Sequence, residues 1–67
     1  MNAKQLRIKL LEREMTVPAL AQAIGISQAT MYVKMSGKTD FTYPEVMKIK
    51  KALNLNVEEF NLIFGVS

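Results

Sequence analysis

The stretch AQAIGISQATMYVKMSG, from Ala21 to Gly37, would read as one helix but for Gly25. Leu20, Ala21 and Ile24 before the glycine, and Met31 and Met35 after it, recur at helical spacing. Glycine enters left-handed backbone without steric cost, so Gly25 in this position predicts a helix C-terminus. Ser27, two residues on, has the side chain of an N-cap for a new helix. The pattern therefore predicts two short helices meeting at a steep angle through Gly25, Ile26 and Ser27. Ile26 is expected to plug the wedge between them. Ala21 is expected to be small because the second helix crosses close to it.

The rest of the chain is helical by the same reading, with no period-2 run long enough for a strand. A first amphipathic helix is expected from Asn2 to Glu14, with Leu6, Leu10 and the stem of Arg13 on its stripe and Leu11 beside them. Thr16 caps the next helix, and Pro18 stands in its first turn, where a missing N–H costs nothing. Gly37 stops the third helix near Met35. Thr42 with Glu45, and Asn56 with Glu59, have the spacing of capping boxes for a fourth and a fifth helix, and Pro44 falls in the first turn of the fourth. Val46, Ile49 and Leu53 are its expected core residues, while Lys48, Lys50 and Lys51 point mostly to water. Phe60, Ile63 and Phe64 form one face of the fifth. Leu62 and Phe64 either close the core or form a dimer seam with Phe60. A single all-α domain over 1–67 is expected.

Composition limits the functions open to such a chain. With 67 residues, 49% of them hydrophobic and 22% charged, it is globular rather than disordered, and its stability is thin. Without cysteine it carries no disulfide, which suits a reducing compartment. The charged N-terminal stretch MNAKQLRIKLLERE is no signal-peptide core, and no run approaches the roughly 20 apolar residues of a membrane span. A cytoplasmic protein with no membrane partner is expected. Without histidine or cysteine, and with a single aspartate, acid–base, thiol and metal chemistry lack their usual residues. Neither an enzyme, nor a cofactor, nor a metal site is expected. The net charge of +3 suits an anionic partner. Lys4, Arg7 and Lys9 form one basic zone, and Lys34, Lys38, Lys48, Lys50 and Lys51 form a second against Asp40 and Glu45.

A short helix, a glycine turn holding a buried aliphatic residue and a second helix make a helix-turn-helix unit. Residues 17–35, VPALAQAIGISQATMYVKM, resemble the helix-turn-helix of the phage repressor and Cro family. The small residue at the fifth place (Ala21) and the glycine at the ninth (Gly25) match. So do the aliphatic residues at the fourth, eighth, tenth and fifteenth places: Leu20, Ile24, Ile26 and Met31. GKTDFT followed by EVMKIKKALNL is similar to that family's loop and fourth helix, so the resemblance covers nearly the whole chain. It implies a five-helix lambda-repressor-like domain, usually a homodimer, that represses or switches transcription at a double-stranded DNA operator. The eighteenth place departs from the pattern, since Lys34 stands where the family usually has an aliphatic residue. Met35 is expected to take that core position, leaving the Lys34 stem on the core and its ammonium in water.

The resemblance places the third helix in the major groove, with Gln28, Ala29, Tyr32 and Val33 on base edges. Gln28 is the typical base reader of this set, able to bind adenine through two hydrogen bonds, while Ala29 and Val33 suit a thymine methyl group. Phosphate contacts are expected from Thr16, Ser27, Ser36, Lys38 and Thr39, with Asp40 opposing Lys38. With no arginine for guanine, this is an apolar reading face. The alternative to DNA reading is a small protein-binding modulator or antirepressor that binds a partner repressor protein through the same helix.

Overall fold

The computed structural model describes residues 1–65; the last two residues of the expected 1–67 domain lie outside the described residues. Five helices follow in order: α1 (Ala3–Glu12), α2 (Val17–Ile24), α3 (Gln28–Met35), α4 (Tyr43–Ala52) and α5 (Val57–Phe64), with no strand among the described residues.

Each start is fixed by a polar side chain accepting an otherwise orphaned N–H. Asn2, Thr16, Ser27, Thr42 and Asn56 cap α1 to α5 in turn, the last two as full capping boxes with Glu45 and Glu59. Gly25 ends α2 at φ 81°, and Ile26 N–H reaches back to the carbonyl of Ala21 at 3.0 Å. Gly37, at φ 86°, turns the chain away from α3.

The core lies where the inner stripes converge. Leu6 and Leu10 of α1 meet Leu20, Ala21 and Ile24 of α2, Met31 and Met35 of α3, Ile49 of α4 and Ile63 of α5. Leu53 and Leu55, just after α4, complete it. Ile26 packs against this cluster from the turn, as a wedge residue should, with Phe41, Phe60 and Phe64. Ala21 is 1% exposed between the helices it separates.

Four expectations are corrected. α1 is shorter than Asn2–Glu14, because Asn2 serves as its cap and Glu14 itself takes a left-handed φ of 54°. Leu11 is not beside the stripe but 80% exposed, a full residue's rotation from buried Leu10. Arg13 does not lie along the stripe either. Its Nε donates to the Leu53 carbonyl at 2.9 Å and its guanidinium pairs with Glu59 at 2.9 Å, joining α1 to α5. Lys50 is half-buried, with its ammonium 5.5 Å from the Phe60 ring centre rather than in open water. On α5, Phe60 and Phe64 pack onto the core while Leu62 stays 54% exposed.

Candidate nucleic-acid interface

The helix α3 has two chemically distinct sides. Met31 and Met35, four residues apart, are buried, which fixes its rotation about its own axis. Gln28, Ala29, Thr30, Tyr32 and Val33 are then all outward, with Tyr32 50% and Val33 41% exposed. The expected base-reading residues Gln28, Ala29, Tyr32 and Val33 thus share the free surface of one short helix. An eight-residue helix is about 12 Å long, the length that spans a few base pairs of a groove.

The expected phosphate-contacting residues lie around the ends of α2 and α3, all exposed, but their polar groups are not equally available. The Ser27 hydroxyl accepts the Thr30 N–H at 3.1 Å and gives its proton to Thr30 Oγ1 at 2.9 Å. Ser36 Oγ donates to the Val33 carbonyl at 2.6 Å. Thr16 Oγ1 accepts from Ala19 N–H at 3.2 Å, which leaves its own proton to donate. Lys38 and Thr39 follow in the loop beyond α3, and the Lys38 ammonium forms no ion pair among the described residues.

Electrostatics favour an anion at this end of the molecule. Residues 15–39, which include both helices of the unit and the start of the loop, contain no acid. Lys48 and Lys51 of α4 flank a shallow groove with Ala23 of α2 and Ala52, which brings two further cations beside the helix-turn-helix. Both lysines are exposed, as expected, but the α2–α4 packing that sets them beside Ala23 has no local signature in the sequence. Conversely, part of the N-terminal basic zone is spent internally. Lys9 lies 2.8 Å from Glu12 and 3.0 Å from Glu59, so its charge is already balanced.

Residues 5–62 match the model of the Cro/C1-type HTH DNA-binding domain. The chain belongs to this family. The comparison with curated proteins finds no match, and neither does the comparison with solved structures. The match covers all of α2, α3 and α4.

At the eighteenth place of this Cro/C1-type helix-turn-helix, one expectation holds and one is corrected. Met35 does take the core position, at 3% exposed. The Lys34 ammonium, however, is not in water. It sits 2.8 Å from Glu45 Oε1 and donates to the Asp40 carbonyl at 3.2 Å. Its hydrogen bond to Glu45, together with the Thr42 N–H, holds that carboxyl below the usual carboxylate range.

Proposed function

We propose that this chain is a sequence-specific double-stranded DNA-binding transcriptional regulator of the phage or prophage Cro/repressor type. The observation that carries this is the outward face of α3, where Gln28, Ala29, Tyr32 and Val33 stand together within residues 15–39, a stretch without an acid. In this reading α3 enters the major groove and Gln28 forms the directional contact, while Ala29 and Val33 meet thymine methyl groups. Thr16, Lys38 and Thr39 hold phosphates. Ser27 and Ser36 reach a phosphate only by giving up their internal hydrogen bonds. The chain works as one cytoplasmic domain over 1–67, and as a homodimer through α5, where Leu62 rather than Phe60 or Phe64 presents the larger apolar surface.

The exposure of Tyr32 and Val33 supports a second reading, in which this face binds a partner repressor protein. The two separate by substitution. Duplexes are enriched from a random pool with the native protein, and binding is compared on the winning sequence and on an unrelated duplex. Gln28→Ala costs a DNA reader about 1–3 kcal/mol on its chosen sequence and little on the other. Unchanged sequence preference in Gln28→Ala, with Val33→Asp abolishing capture of a partner repressor, replaces the DNA reading with the modulator reading.

A further inference from the structure

The Lys34–Glu45 ion pair and the bond from Lys34 to the Asp40 carbonyl tie together three parts of the end that carries α3. Lys34 is in the last turn of α3, Glu45 is in the first turn of α4, and Asp40 lies in the loop between. Two of the three donors of the ammonium are committed, one to Glu45 Oε1 at 2.8 Å and one to the Asp40 carbonyl at 3.2 Å. The same Glu45 Oε1 accepts the Thr42 N–H at 2.8 Å. One carboxylate oxygen therefore both caps α4 and anchors the end of α3. The Phe41 ring, 5.8 Å from the ammonium, covers the pair. With 12% and 15% of the two side chains exposed, it is shielded from water and salt in a way that an ordinary surface pair is not. The bond from Lys34 to Asp40 also closes the loop that holds Ser36, Lys38 and Thr39.

We propose that Lys34 is a positioning residue for DNA recognition: through Glu45 and the Asp40 carbonyl it fixes the angle of α3 and the course of the loop 36–39. The proposal rests on the DNA reading above. Lys34 acts through these contacts and not by touching a phosphate, because its charge is already matched by Glu45. An aliphatic residue in its place would fill the same space without tying α3 to the loop.

Glu45→Gln tests this with opposing signs. Glutamine keeps an oxygen for the Thr42 N–H but removes the charge that holds Lys34. Net charge rises by one, so simple attraction predicts tighter binding to every duplex. Positioning predicts that preference for the enriched duplex over an unrelated one of equal length falls about fivefold or more, the low end of what one base contact is worth. Lys34→Arg, which keeps the pair, retains the preference. Lys34→Met loses it, and serves as the second variant should Glu45→Gln fail to give native helical circular dichroism. An unchanged preference ratio in Glu45→Gln or Lys34→Met overturns the proposal. Failure of the native protein to enrich any duplex overturns the DNA reading instead. Amide exchange in the free protein tells the two failures apart: exchange at Ser36 to Thr39 quickens in Glu45→Gln if the pair orders the loop, and stays as in the native protein if it does not.

Discussion

The turn at Gly25 allows a stability prediction with a single physical cause. Its φ of 81° lies in the left-handed region, and a Cβ built there meets nothing within 4 Å. Space is therefore no obstacle to a side chain, and the whole cost of substitution is backbone strain. That strain is about 1–2 kcal/mol for an L-residue with a Cβ. For a domain of this size each kcal/mol shifts the melting temperature by about 4–8 °C, so Gly25→Ala should melt roughly 4–16 °C lower. Gly25→Val should be worse, because a branched Cβ tolerates this region least. Gly25→Asn should be the mildest, since asparagine's short polar side chain tolerates left-handed backbone. The chain itself illustrates this at Asn54, with φ 49°. The assay is thermal unfolding of the three variants by circular dichroism at one pH and salt. Three melting temperatures within about 2 °C of the native value would refute the reasoning, because no contact remains to explain a compensation. An asparagine variant less stable than the alanine one would refute it as well.

Other expectations follow from the packing and the charges. Leu10 and Leu11 are chain neighbours at 4% and 80% exposure; Leu10→Ala should cost about 2–5 kcal/mol and Leu11→Ala less than about 0.5, by urea denaturation. The Glu59 carboxyl, holding the Asn56 N–H and paired with Lys9 and Arg13, is lowered from 4.5 to about 2. Its folded pKa is the lower one, so its contribution is complete above pH 4.5 and is lost as pH falls towards 2. The melting difference between native protein and Glu59→Gln should shrink over that window; a constant difference would contradict it. Lys38→Ala should weaken binding to all duplexes alike and flatten the log–log salt dependence by about 0.9, as one lost phosphate contact does.

Local signals carried most of the fold into the sequence. Each cap acts within three residues of itself, so Thr16, Ser27, Thr42 and Asn56 were readable, as was the left-handed glycine that separates α2 from α3. The outward set on α3 was readable for the same reason, since Met31 and Met35 fix the helix rotation. What escaped was decided by contacts far apart in the chain. Nothing near Arg13 announces a carbonyl forty residues away, and spacing alone puts its stem on the α1 stripe. Leu11 is apolar and next to Leu10 in the chain, but it stands one residue's rotation off the Leu6–Leu10 stripe and is left exposed. Lys34 was recognised as out of pattern, and Met35 as its replacement in the core. Its partner depended on how the loop folds back, which brings Glu45 within 2.8 Å.

The clasp between the first and last helices has a kinetic consequence. Arg13 and Glu59 are 46 residues apart, and the Asn2 N–H bonds the Ile63 carbonyl across almost the whole chain. The contacts of α2 with α3 and α4 close much shorter segments. Bringing chain ends together costs entropy that grows with the length enclosed, so short-range contacts form first along the folding route. The expected order is that the ends engage after the barrier, so that the clasp governs escape from the native state rather than arrival at it. Glu59→Gln should accordingly speed unfolding in stopped-flow denaturant jumps while leaving refolding nearly unchanged. A variant that refolds as much more slowly as it unfolds faster would place the joining of the two ends before the barrier instead.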